Sequence, residues 1–154
     1  MREHLWFMRM ALDEANEAWR KLEVPVGAVI VGPGGDVLAK AHNLKESHNN
    51  PCGHAEILAI QEATQKLGDW RLSGCRLYVT LEPCTMCLAA IGQARIPEVI
   101  FGAYDNKAGA LSLGYRMHKD LRLNHRFAVM GGVMHYDCSR SLSQFFKERR
   151  PSQN

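Results

Sequence analysis

Residues 76–93 read RLYVTLEPCTMCLAAIGQ, and the pattern of this stretch changes from strand to helix in its middle. Residues 76–80 are rich in β-branched and apolar side chains, which predicts a short strand. Pro83 suits the entry to a helix, and residues 84–93 are expected to form one. A strand that leads into a helix is typical of α/β proteins, in which helices cover a sheet. We therefore expect an α/β fold.

The rest of the chain continues this alternation of short apolar runs and segments with helical periodicity. The sequence predicts strands at residues 26–31, 37–41, 76–80, 98–102 and 127–131, and helices at residues 4–20, 54–66, 84–93 and about 136–150. Residues 103–126 are rich in Gly, Asn and charge, and we expect irregular structure there. With 154 residues, 46% of them apolar, the chain fits a single domain spanning residues 1–154.

Composition narrows the classes of protein to consider. No run of about 18 apolar residues is present, so no membrane span is expected. The first ten residues, MREHLWFMRM, are interrupted by charges and lack the features of a signal peptide, which favours a cytoplasmic location. The five cysteines are an odd number, and in a reducing compartment they indicate metal binding or catalysis rather than disulfides.

Cys84 and Cys87 are three residues apart at a predicted helix start, so both sulfurs can face one ion. Exposed N–H groups of a first helical turn favour thiolate over thiol. A catalytic zinc site has three protein ligands and one open position, and His54, at another helix start, is the best-placed third ligand. A structural site would need a fourth ligand, which Cys52, Cys75 or Cys138 could supply.

Glu56 has a role separate from that of His54, although the two residues are only two positions apart. Positions two apart point about 200° apart around a helix, yet both side chains can reach a pocket that the first turn faces end-on. A carboxylate beside a metal-activated water can take up a proton and pass it to a leaving group. This arrangement favours hydrolysis over redox chemistry.

Together, H-x-E at residues 54–56 and P-C-x-x-C at residues 83–87 form the signature of zinc deaminases, in which the Glu is the acid/base and not a ligand. The chain resembles the bacterial tRNA-specific adenosine deaminases over nearly its whole length. The shared elements are residues 24–28, Asn43, residues 54–56, residues 80–84 with Cys87, residues 101–109, residues 124–126, Phe145 with Phe146, and Arg149 with Arg150.

This resemblance implies a three-layer α/β/α cytidine deaminase-like fold with a central mixed five-stranded sheet. It also implies one Zn²⁺ per subunit, a homodimer, and hydrolysis of the wobble adenosine in a tRNA anticodon stem-loop to inosine and ammonia. By resemblance, Asn43, Val26 and the backbone N–H of Ala55 contact the adenine. For Val26 a place in the strand core is an alternative, and for Asn43 a turn.

Charge along the chain favours an RNA substrate. Residues 106–154 carry nine Lys/Arg and three Asp/Glu, a net charge of +6. Residues 1–105 carry ten Lys/Arg and thirteen Asp/Glu, a net charge of −3. A basic segment with aromatic residues is typical of RNA-binding surfaces, although ordinary solvation is the alternative. We expect one of Phe145 and Phe146 in the core and the other available. The predicted RNA contacts are Asp105, Lys107, Asn124, His125, Arg126, Phe146, Lys147, Arg149 and Arg150.

Two other functions remain open. One is deamination of a free base or nucleotide of the guanine, cytosine or cytidine type. The other is a noncatalytic RNA-binding module with structural zinc, which would have no use for Glu56. Cys52 and Gly53 depart from the family pattern beside the metal ligand, and we expect Cys52 to line the pocket or to be packed. Cys75 and Cys138 are expected to be small apolar fillers.

Overall fold

The computed structural model describes residues 1–149, and each strand and helix lies within two residues of its predicted bounds. The elements are α1 Arg2–Arg20, β1 Gly27–Val31, β2 Val37–His42, α2 Ala55–Leu67, β3 Arg76–Leu81, α3 Thr85–Gln93, β4 Glu98–Ala103, β5 Ala128–Met130 and α4 His135–Arg149. The segment expected to be irregular contains a single 3₁₀ turn, Met117–Lys119. Within residues 1–149, no helix combines the length and apolarity needed to cross a bilayer.

The five strands form one mixed sheet in the order β2-β1-β3-β4-β5. β1 is antiparallel to β2 and to β3, whereas β3, β4 and β5 run parallel. Parallel neighbours need a crossover between them, and α3 supplies it between β3 and β4. The prediction of a mixed five-stranded sheet is confirmed.

Helices cover both faces of the sheet, as the strand composition requires. Alternate residues of a strand point to opposite faces, and all five residues of β1 are buried. Ala28 and Ile30 pack in the core beneath α2 and α3. Val29 and Val31 pack in the second core, beneath α1 and α4. The predicted three-layer α/β/α fold is thus confirmed.

One edge of the sheet gathers the ends of four strands. Gly27 at the start of β1 pairs with His42 at the end of β2. β1 also pairs with the end of β3, where Ala28 lies opposite Val79, and Leu81 at the end of β3 pairs with Ala103 of β4. Loops leaving such an edge meet at one place, and in α/β sheets ligands bind outside the carboxyl ends of parallel strands.

Candidate active site and metal centre

His54 and Cys84 both stand immediately before a helix, as their N-cap residues, and Cys87 lies in the first turn of α3. The two helix starts converge. His54 Nδ1 is 3.6 Å from Cys84 Sγ and 3.4 Å from Cys87 Sγ. Among the described residues, these three alone form a metal-ligating group, with all ligand atoms within 4.8 Å of one another.

The spacing of these atoms fits a zinc ion. Zn–S bonds of about 2.3 Å and Zn–N bonds of about 2.0 Å in a tetrahedron separate the ligand atoms by about 3.5–3.8 Å. The two His54–sulfur distances lie within about 0.2 Å of that range. Two sulfurs and one imidazole also form a donor set that favours zinc. Three protein ligands leave the fourth position of the tetrahedron for a water or substrate.

Hydrogen bonding within this group favours the thiolate form of Cys84. Chiefly because of its hydrogen bond with Cys87, and with help from His54, the pKa of Cys84 is lowered to about 4. The same contact with Cys84 raises the pKa of Cys87, and the hydrogen bond to Cys84 raises the pKa of His54. Cys84 is therefore a thiolate at neutral pH, which is the form that binds a metal.

Glu56 lies beside this group without belonging to it. It is the second residue of α2, and its side chain is almost completely buried. Burial raises the pKa of Glu56 above its ordinary value, although a hydrogen bond with Cys87 acts in the opposite direction. A buried carboxyl group with a raised pKa is suited to receive and release a proton during a reaction.

A cavity of about 1240 Å³ opens over these residues at the sheet edge where the strand ends meet. His54, Glu56 and Cys84 line it together with Val26, Asn43 and Ala55, so the structure brings the predicted catalytic and base-contacting residues into one place. The remaining lining residues are Val24, Lys45, Leu81, Glu82, Tyr104, Asp105, Asn106, Lys107, Ala108, Leu142, Ser143, Phe146, Lys147 and Arg149.

The sequence that forms this site matches a known protein family. Residues 1–103 match the family described as the cytidine and deoxycytidylate deaminase zinc-binding region. The chain belongs to the cytidine and deoxycytidylate deaminase family. This deaminase domain therefore has a zinc-binding region, and His54, Cys84 and Cys87 are the group in it that is compatible with zinc.

Similarity within the family extends over nearly the whole chain. The tRNA-specific adenosine deaminase of Bacillus subtilis is 45% identical over 144 residues, which cover 94% of this chain and 89% of that protein. A solved structure from work on A-to-I editing by tRNA:A34 deaminases at the wobble position of transfer RNA has a TM-score of 0.84 and 43% identity. The match covers 88% of this chain and 98% of the chain in that structure. The guanine deaminase of B. subtilis is more distant, with a TM-score of 0.63, 28% identity and 96% of each chain covered.

Asn43 takes part in a turn, which is one of the two roles that the sequence left open. Its side-chain amide donates to the Val24 carbonyl at 3.2 Å, and its Oδ1 accepts from the Lys45 N–H at 3.0 Å. These bonds fix the turn that follows β2, and the side chain still lines the cavity of the deaminase. Val26 likewise belongs to the core and also lines the cavity.

The predicted RNA contacts divide into two groups in this deaminase. Asp105, Lys107, Phe146, Lys147 and Arg149 line the large cavity. Phe145 is buried whereas Phe146 is 49% exposed, which confirms the expected division of that pair. Arg150 lies outside the described residues.

Asn124 and His125 line a second, smaller cavity of about 260 Å³ beside α3. His125 Nε2 bonds to the Ile96 carbonyl at 2.8 Å, and its ring stacks on Phe127. Arg126 is exposed and donates to the Leu123 carbonyl. The structure therefore does not place residues 124–126 in the lining of the large cavity of the same chain.

Reasoning from the sequence missed several residues that line the cavity, among them Lys45, Glu82 and Tyr104. Lys45 and Tyr104 are single residues in loops, where no periodicity marks them. Tyr104 is 52% exposed, and its ring packs at 86° to that of Phe101. Glu82 lies inside the quoted stretch, but spacing alone did not distinguish it from a surface residue.

The expectation for Cys52 is wrong. Its side chain is exposed and does not line the cavity. The Cys52 N–H is bonded to Asn50 Oδ1, and the Cys52 carbonyl accepts from the His54 N–H, so a tight turn directs the side chain outward. Cys75 and Cys138 are buried, which confirms them as apolar fillers.

Proposed function

We propose that this protein hydrolyses adenosine to inosine at the wobble position of a tRNA anticodon and releases ammonia. The observation that carries the proposal is that Glu56 lines one cavity together with His54 and Cys84, two members of the metal-ligating group that Cys87 completes. Sequence identity of 43–45% to tRNA-acting deaminases, over most of this chain and most of theirs, supports the choice of substrate.

His54, Cys84 and Cys87 would hold one Zn²⁺ per subunit. When bound, zinc would act as a Lewis acid and lower the pKa of a water molecule bound to it to about 7. Glu56 carries the two protons of the attacking water in turn, one to the purine ring and one to the departing amine. The overall reaction adds the oxygen of water at C6 of the base and releases ammonia.

Asn43, Val26 and the Ala55 N–H would hold the adenine. An amide suits the polar edge of a purine, and an apolar side chain suits its flat face. Asp105, Lys107, Phe146, Lys147 and Arg149 would contact the flanking nucleotides from the wall of the same cavity.

Asn124, His125, Arg126 and Arg150 are proposed as further RNA contacts. By family resemblance the protein would act as a homodimer, in which a partner subunit could present residues 124–126 to the RNA. A tRNA substrate also implies a cytoplasmic location.

A free-base deaminase is the second candidate, because the guanine deaminase of B. subtilis shares the fold at 28% identity. The size of the cavity favours RNA. Sites for small molecules usually enclose about 300–1,000 Å³, whereas this cavity is about 1240 Å³ and has three lysines in its lining.

The two candidates are separated by a substrate panel. The purified protein is incubated with an anticodon stem-loop bearing A at the wobble position, with the same stem-loop bearing G there, and with free guanine, cytosine and cytidine. We expect inosine in the first RNA alone. Ammonia from guanine together with unmodified RNA would overturn the proposal in favour of the free-base activity.

A further inference from the structure

Glu82 is a buried carboxylate whose bonding partners come from one loop. It follows β3 directly, lies two residues before Cys84, and is only 3% exposed. Its Oε1 accepts from the Asp105 N–H at 3.3 Å and from the Ser112 hydroxyl, and its Oε2 accepts from the Ser112 N–H at 2.9 Å. We call residues 105–112 the wall segment, since residues 105–108 line the large cavity.

The wall segment is fitted closely around this carboxylate. At Gly109, a Cβ atom would lie 2.0 Å from Glu82 Oε2 and 2.6 Å from the Asp105 carbonyl oxygen, so any side chain there would displace the segment. Gly109 also forms a β-bridge with Cys84, and the Ala110 N–H donates to the Pro83 carbonyl at 2.9 Å. The segment thus lies directly against the chain that carries the metal ligand.

A carboxylate is needed here because the three donors all point inward. Burying a charge is unfavourable unless it is hydrogen-bonded, and bonds to a charged acceptor are stronger than neutral ones. Among residues 1–149, no Lys, Arg or His forms an ion pair with Glu82, so the donors of the wall segment compensate its charge. A glutamine would offer only one acceptor oxygen and would direct its own N–H groups at the Ser112 or Asp105 donors.

We propose that Glu82 is a positioning residue for the RNA substrate. It fixes the wall segment, and with it Asp105 and Lys107, in the geometry that receives the nucleotides flanking the target base. It acts through the segment and contacts neither the base nor the metal. This inference rests on the proposed function, since it assumes that RNA occupies the cavity.

The test compares Glu82→Gln and Ser112→Ala with Tyr78→Phe. Ser112→Ala removes one donor and leaves Glu82 in place, so it provides a milder perturbation if the first variant folds poorly. Tyr78 lies in β3, the strand that Glu82 follows, but its hydroxyl bonds to His4 of α1. Tyr78→Phe therefore reports loss of a hydrogen bond far from the cavity.

Steady-state kinetics on the wobble-A stem-loop, zinc content, and amide hydrogen exchange across residues 105–112 are measured for all four proteins. For Glu82→Gln we expect KM to rise about tenfold, with kcat changing about threefold or less, and exchange in the wall segment to accelerate about tenfold or more. Ser112→Ala shows the same pattern at about threefold. Zinc content stays at the wild-type level, and Tyr78→Phe leaves KM and wall-segment exchange unchanged.

The possible failures are distinguishable. If the wild type forms inosine in RNA but Glu82→Gln and Ser112→Ala keep its KM and its exchange rates, the positioning role of Glu82 is overturned and the proposed function stands. Loss of zinc from Glu82→Gln, with Ser112→Ala behaving as wild type, would assign Glu82 to the metal group instead and also overturn the inference. If the wild type forms no inosine in RNA, the proposed function itself fails, and this inference fails with it.

Discussion

Glu56 differs from the other two buried glutamates in what its carboxyl group contacts. Glu23 and Glu82 accept hydrogen bonds from backbone N–H groups of loops. Glu56 instead lies in the cavity beside the metal-ligating group, and burial raises its pKa. Of the three, Glu56 is therefore the one suited to carry a proton during a reaction.

Replacing Glu56 with glutamine tests this role. Glutamine has the same shape but cannot take up a proton, so we expect turnover on the wobble-A stem-loop to fall by about 10²–10⁴-fold. Zinc content should remain at the wild-type level, because His54, Cys84 and Cys87 are unchanged. Metal analysis alongside single-turnover kinetics checks both. Loss of zinc together with activity would make Glu56 a ligand and not the proton carrier.

Cys52 and Cys84 should respond oppositely to the same substitution. The side chain of Cys52 is exposed, whereas Cys84 is a thiolate in contact with His54. We expect Cys52→Ser to keep zinc and to change kcat/KM by about twofold or less. Cys84→Ser should lose zinc and activity, since a serine hydroxyl is a poor zinc ligand. Zinc loss from Cys52→Ser would restore Cys52 as a ligand.

At the residue scale, the sequence predicted the chemical centre better than its surroundings. His54, Cys84 and Cys87 were predictable because zinc dictates both the residue types and their number. Glu82 was not, because its importance depends on donors about 23–30 residues further along the chain. Contacts between such distant positions leave no periodic pattern in the sequence.

At the scale of elements, strands and helices were predictable because apolar periodicity reports directly on burial. The wall segment was expected only to be irregular, and its course depends on Glu82 and on the glycine at position 109. The loop between β2 and α2 is comparable. Glu23 accepts from the Glu46 N–H at 3.2 Å and from the N–H and hydroxyl of Ser47, and thereby anchors the chain leading to His54.

Glu23→Gln should destabilise the protein in a pH-dependent way. Burial, the largest single influence, acts to raise the pKa of Glu23, but the hydrogen bonds from Ser47 and Glu46 together lower it below its ordinary value. A lowered pKa in the folded state means that the stabilisation is present above the unfolded pKa and disappears as pH falls through the folded pKa. We expect the variant to lose about 1–3 kcal/mol at pH 7, and the difference from wild type to shrink as the pH is lowered from 7 through and below the ordinary pKa of a glutamate.

Urea unfolding of both proteins across this pH range measures the effect. Glu62→Gln is the matched control, because it makes the same substitution at an exposed residue of α2. A difference between wild type and Glu23→Gln that stays constant with pH would contradict the ionised role of Glu23.

At the scale of the whole molecule, part of the basic excess counted over residues 106–154 faces the large cavity. Lys107, Lys147 and Arg149 line the large cavity, where Lys45 from the other half of the chain joins them. Arg149 also donates to the Leu22 carbonyl and lies over the ring of Phe145, so part of its role is structural. Charge counted along the sequence favoured an RNA partner, but only folding selects which cations line the cavity.

RNA binding should therefore depend on salt through the lysines of the cavity. The association constant K for RNA falls as the salt concentration rises. Each phosphate contact that is lost makes the slope of log K against log salt concentration less steep by about 0.7 for single-stranded RNA. We expect Lys107→Ala and Lys147→Ala each to reduce the slope by about this amount, measured by stem-loop binding between low and moderate salt. Lys119→Ala is the matched control, because Lys119 is equally exposed but does not line the cavity. A wild-type slope in both cavity variants, with a reduced slope in Lys119→Ala, would contradict this prediction. Because counterion release occurs only where phosphates and cations meet, that result would place the RNA across the surface formed by residues 115–126 instead.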